Sequence, residues 1–190
     1  MGAYRYCRHG DEFTRKRDQH KLGVWLWRAV AEQAGRRPLR KLTEVLFYHL
    51  QHTPLEQVLP SLLERSLERG WKAVVQVGNP ERLNALNGSL WTYSDDAFLP
   101  HGTEEDGLLA KQPVALTAES VNPNGAAVLF LVDGAVPGEI ESYERCVLMF
   151  DGRDDEAVGA ARGHWKILSE GNHDVTYWQQ TDAGGWEKKA

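Results

Sequence analysis

Arg162, Trp165 and Lys166 stand three and four residues apart in DDEAVGAARGHWKILSE, so on a helix they share one face and set two cations beside an aromatic wall. An arginine fork pairs in bidentate fashion with a carboxylate while an indole packs on an apolar side chain. The triple therefore suits a short acidic peptide ending in an apolar residue, although it also reads as an ordinary solvated helix face. Two further groups could do chemistry. His49 and His52 lie close together where an apolar run ends, at the carboxyl edge where α/β sites usually form, but no cysteine or paired carboxylate shares their loop. Asp133 ends the most apolar run of the chain and is the best-placed single catalytic candidate; an Asp there also commonly caps a turn. His49 and Asp133 define an alternative function, a small nucleotide-dependent enzyme or hydrolase at that edge. GNPERL, from Gly78 to Leu83, lacks the glycines of G-x-G-x-x-G and the Gly-Lys-Ser/Thr of a P-loop. Cys7 and Cys146 are too far apart for metal-ligand spacing and form no disulfide framework, and Cys146 reads as a core cysteine. Neither a metal nor a cofactor is expected.

These residues need a scaffold, and the stretch from Thr43 to Trp91 spells one out. TEVLFYHL (Thr43 to Leu50) is too dense in apolar and β-branched residues for a strand with one wet face. Thr53-Pro54-Leu55-Glu56 carries helix-start signals with Thr53 as N-cap, and Leu55, Val58, Leu59, Leu62, Leu63 and Leu67 recur along one helical face before Gly70. Trp71 to Val77 is the next strand, and Asn79-Pro80 opens a second helix lined by Leu83, Leu86 and Leu90. Pro113 to Thr117, Ala126 to Gly134 and Arg145 to Phe150 read as further strands, with Ala126 to Gly134 the candidate centre of the sheet. A helix runs from about Asp154 to Glu170, with Ala157, Ala161, Trp165 and Leu168 inward. His173 to Gln180 reads as an edge strand or a loose extension, and residues 181–190 as a C-terminal tail. The fold class is α/β: three layers, a mostly parallel sheet with helices on both faces, Rossmann-like without a nucleotide motif.

Charge divides the chain. Of its 22 Lys/Arg and 27 Asp/Glu, residues 1–41 carry eleven and four, leaving eleven and twenty-three for the remainder. The basic segment reads either as an arm that contacts nucleic acid or as a poorly ordered extension or mis-assigned start, with the domain proper spanning 42–180. The acidic body is ill suited to gripping a phosphate backbone, so any DNA contact is expected to be indirect. No apolar run approaches membrane-spanning length, and two cysteines fit a cytoplasmic protein.

Between the second helix and the Pro113 strand, SLWTYSDDAFLPHG holds Trp91, Tyr93, Phe98 and Leu99 among Asp95, Asp96 and the pair Pro100-His101. The aromatics either plug the end of the sheet or form an exposed patch of the kind that marks a protein contact.

From Thr43 onward the chain resembles the chi subunit family of bacterial DNA polymerase III, an accessory subunit of the clamp-loader assembly. VLFYHL, the block NPERLNALNGSLWTYSDDAFLPHG, the strands around Val128 and Val147, and Ala161-Arg162-x-x-Trp165-Lys166 occur in family order, and Leu-Trp running to Phe-x-Pro-His is the specific part. The resemblance implies a non-catalytic α/β domain that binds the acidic C-terminal tail of the single-stranded-DNA-binding protein during replication, and in some bacteria pairs with the psi subunit. It places tail binding on Arg162, Trp165 and Lys166, with Trp165 where the family more usually shows Tyr, and Val158 and Ser169 where Lys or Arg would be expected. The psi-facing surface would fall at Trp91, Phe98, Pro100 and His101.

Overall fold

Eight strands, of which seven run parallel, form the middle layer of the protein in a computed structural model that describes residues 42–171 and 173–190. Expectations for residues 1–41, Cys7 among them, concern residues outside that description. In chain order the elements are β1 (Glu44–Leu50), α1 (Leu55–Glu68), β2 (Ala73–Val77), α2 (Pro80–Trp91), β3 (His101–Gly102), β4 (Val114–Thr117), β5 (Val128–Val132), β6 (Arg145–Asp151), α3 (Asp155–Glu170), β7 (Asp174–Gln180) and β8 (Trp186–Lys188). Short 3-10 turns at Glu104–Asp106, Leu109–Lys111 and Ile140–Ser142 fill the connections.

The sheet runs β3-β4-β2-β5-β6-β1-β7-β8. β5 holds the centre, as its unbroken apolar run requires, and all five of its residues are buried. Alternate residues of β1 serve opposite faces. Leu46 and Leu50 join Leu55, Leu59 and Leu63 of α1 and Leu86 and Leu90 of α2 in one core, whereas Val45 and Phe47 join Ala161 and Leu168 of α3 in the other. Fully covering a Leu or Phe side chain is worth about 1.5–3 kcal/mol, so two such cores make the three-layer arrangement the stable one.

Three expectations need correction. Thr53 does not cap α1: Pro54 is the N-cap residue and supplies no side-chain bond. The side-chain oxygen of Gln180, in β7, instead accepts from the backbone N–H groups of Gln51, His52 and Thr53 at 3.2, 2.9 and 3.0 Å. β7 is neither loose nor the edge, because it pairs parallel with β1 over six residue pairs. The stretch read as a tail supplies the true edge, β8, antiparallel to β7. Trp186 explains why it stays: its ring meets Tyr48 at 4.5 Å, edge to face.

After β1 the chain crosses one face through α1 to reach β2 beyond β6 and β5. After β6 it crosses the opposite face through α3 to reach β7 beyond β1. The two connections part above the carboxyl ends of β6 and β1. That is the kind of switch point where α/β sheets leave a crevice, and a cleft of about 500 Å³ opens there.

Candidate functional site

The helix carrying the cationic face starts firmly. Asp154 accepts from the N–H groups of Glu156 and Ala157 at 2.9 and 3.3 Å, and Asp155 and Glu156 place negative charge at the positive end of the helix. Ala161 and Leu168 face the core. Trp165 lies half-buried on the border, with its ring 5.2 Å from Phe47 and 6.1 Å from Tyr177, edge to face in both pairs. Arg162 and Lys166 are exposed, and neither has an ion-pair partner among the described residues. The three residues share one face of α3: an indole fixed from behind and two exposed cations that lack an ion pair among the described residues.

Behind the indole lies a group that the sequence reading missed. The Tyr177 hydroxyl and His49 Nδ1 are hydrogen-bonded at 2.5 Å, and the imidazole stacks on Phe150 at 5.0 Å. Gly152 leaves no room for a Cβ against His49 Nε2, so the turn after β6 closes directly over the ring. Burial raises the Tyr177 phenol, while Arg162 draws it down, which places that guanidinium within electrostatic reach of the hydroxyl. The period of two along β1, with Phe47 and His49 on one side, was the available signal.

Burial lowers the His49 pKa against the opposing pull of Asp151, and burial lowers that of His164 as well. A base with a depressed folded pKa takes up its proton in the unfolded state first. Stability is therefore full above the ordinary histidine value near pH 6.5 and falls as pH drops toward the folded values. Thermal unfolding should thus move to lower temperature between pH 7.5 and 5.5, and His49→Gln should flatten that slope; a parent melting point constant over this range would contradict the assignment.

At the other end of the sheet, the ring of Trp91 lies 6.1 Å from Phe98 and 4.8 Å from His101. Trp91 and Phe98 are 58 % and 72 % exposed, so they form a surface patch and do not plug the sheet. His101 is its inner member: it is buried, its Nδ1 bonds the Leu99 carbonyl at 2.7 Å, and it supports the patch from below. Pro100 is half-buried, and its carbonyl accepts from Val114 N–H.

The carboxyl edge does not bring His49 and Asp133 into one constellation. Arg82 reaches Asp133 and Glu56, both at 3.0 Å, which joins the starts of α1 and α2 to the end of β5 and raises its own pKa. Asp133 adopts φ 49, a left-handed conformation, where the β5 turn passes so close to Gly78 that a Cβ has no room. His52 meets Asp182 at 3.0 Å on the surface. Burial pushes the Cys146 thiol up to about 12, so it is a poor nucleophile. Among the described residues no cluster of His, Cys, Asp or Glu could hold a metal, and no helix is long and apolar enough to cross a membrane.

The geometry is that of an α/β domain with two exposed side-chain surfaces, one cationic on α3 and one aromatic beside β3. Residues 42–176 match the family described as "DNA polymerase III chi subunit, HolC". A "Probable DNA polymerase III subunit chi" of Rickettsia prowazekii is 32 % identical over 112 residues, 59 % of this chain and 68 % of that protein. A "DNA polymerase III subunit chi" of Pseudomonas aeruginosa is 27 % identical over 89 residues, 47 % of this chain and 61 % of that protein. The chain belongs to the DNA polymerase III chi subunit family.

Proposed function

We propose that this protein is a non-catalytic, cytoplasmic adaptor of the DNA polymerase III clamp-loader complex, which it links to single-stranded-DNA-binding protein through the acidic C-terminal tail of that protein. The observation that carries the reading is the α3 face, where Arg162 and Lys166 lack an anionic partner among the described residues beside the half-buried Trp165. A carboxylate-rich peptide satisfies both cations, and an apolar terminal residue covers the exposed part of the indole. An acidic body is compatible with this role, since the adaptor reads a peptide while its partner holds the strand.

Titrating the full chain with a fluorescent copy of that tail tests the reading. Saturable binding that needs the terminal apolar residue and weakens as salt rises is expected, because exposed charge pairs are screened over about 8 Å at physiological ionic strength. Binding indifferent to salt, or to loss of the apolar terminus, would reject it.

The patch of Trp91 and Phe98, supported by Pro100 and His101, is proposed as the contact with a further clamp-loader subunit, psi where one is present. Phe98→Ser should change folding stability by no more than about 0.5 kcal/mol, as surface substitutions do, yet reduce co-purification with that subunit. Undiminished co-purification would clear the patch of this role.

A further inference from the structure

On the α1–α2 face of the sheet, near the amino ends of β1 and β6, the chain gathers three arginines. Arg65 lies in the last turn of α1, Arg69 caps that helix, and Arg145 opens β6. All three line a cavity of about 100 Å³ whose floor includes Leu62, Phe130 and Val147. Arg145 is held by Glu44 at 2.6 Å. Arg65 and Arg69 are exposed and have no ion pair among the described residues. Burial raises the Tyr48 phenol, Arg145 and Arg65 pull it down, Glu44 pushes it up again, and Arg69 adds a smaller downward pull. A helix C-terminus attracts cations to its last turn and cap, which accounts for Arg65 and Arg69. Arg145 comes from another element, and the group leaves a net positive pocket on a domain with twice as many acidic as basic residues beyond Lys41.

Aromatic surface surrounds the cluster. The guanidiniums of Arg145 and Arg69 lie 5.2 and 5.8 Å from the Trp71 ring centre, Tyr48 packs on Trp186, and Trp178 joins the same face, each ring half-buried. An acidic peptide ending in one apolar residue, the ligand proposed for α3, would cover one ring and leave the others unused. Arginine forks take a phosphodiester, and flat ring and guanidinium faces take the neighbouring bases, which is how unpaired strands are held without sequence preference. We propose that Arg65, Arg69 and Arg145, with Tyr48 and Trp71, form a binding site for single-stranded nucleic acid. This site goes beyond the peptide contact on α3, lies on the opposite face of the sheet, and does not depend on it.

Fluorescence anisotropy of the full chain with a labelled oligothymidylate of roughly a dozen nucleotides, within the usual span for one small domain, reads the site directly. Residues 1–41 are also basic, so the quantity that decides is the difference between parent and variant. Arg65→Ala combined with Arg69→Ala is expected to weaken strand binding about tenfold or more at low salt and to reduce its salt dependence. Arg153→Ala, which removes a cation outside both sites, should leave it unchanged. If the double alanine variant melts early, the double lysine variant decides, because it keeps the charge, loses the fork and should bind with intermediate strength. Photo-crosslinking from iodouracil should mark peptides that contain Tyr48 or Trp71. Strand binding equal in parent and double variant, or equal displacement by oligoglutamate of the same charge, overturns the proposal.

Discussion

Replacing Arg162 with Ala is expected to weaken binding of the acidic tail peptide by about 1.5–3 kcal/mol, roughly 10- to 150-fold, the range for a hydrogen bond to a charged group. The upper part of that range is the more reasonable, because Trp165 is fixed by Phe47 and Tyr177 and the helix is capped by Asp154. The peptide would therefore meet an ordered surface. Arg162 is exposed, so the variant should fold and melt as the parent does, and peptide affinity and stability can be separated in one preparation. Lys166→Ala should cost less, since an ammonium offers a point charge where the guanidinium offers a fork. Trp165→Tyr keeps the aromatic wall and is expected to retain binding. An Arg162→Ala protein that binds the peptide as tightly as the parent would remove α3 from the peptide site.

Gln180→Ala should destabilise the domain by about 2–3 kcal/mol, because one carboxamide oxygen satisfies three consecutive N–H groups and each donor left buried without a partner costs about 1–3 kcal/mol. Water can reach part of this turn, where His52 is exposed, which keeps the total below the sum of three full penalties. For a domain of this size the change amounts to a melting point lower by roughly 5–10 °C. Gln180→Glu offers an oxygen in the same place and should recover most of the loss, whereas a general packing defect would not respond to it. A melting point unchanged in the alanine variant would show that water replaces the carboxamide without penalty.

What could be read from the sequence was the local chemistry. Asn79 and Pro80 start α2 as expected, with the Asn79 side chain accepting from Arg82 N–H at 2.8 Å, because cap and helix lie within four residues. Asp154 and Gly171 bound α3 for the same reason. The start of α1 escaped because the turn leading into it is held by Gln180, more than 120 residues away, and no local pattern encodes that contact. Strand order escaped similarly: apolar runs identify β1, β5 and β6, but nothing in their composition says that β1 lies between β6 and β7. β8 was hidden because Trp186–Lys188 is too short for alternation to show. At the site, spacing along one helix was enough to group Arg162, Trp165 and Lys166. Tyr177, His49 and Phe150, which back them, arrive from three different strands.

The position of β1 bears on how the chain acquires its structure. Its two neighbours, Arg145–Asp151 and Asp174–Gln180, are the last long strands to be made, so the first strand of the domain stays unpaired until nearly all the rest has been synthesised. During that interval Val45, Leu46 and Phe47, each almost wholly covered in the finished sheet, form an apolar segment with free backbone groups on both sides. Pairings so distant in sequence close slowly. A chain released before Asp174 would therefore expose a sticky strand edge, and assembly in the cell is most vulnerable to aggregation at that stage.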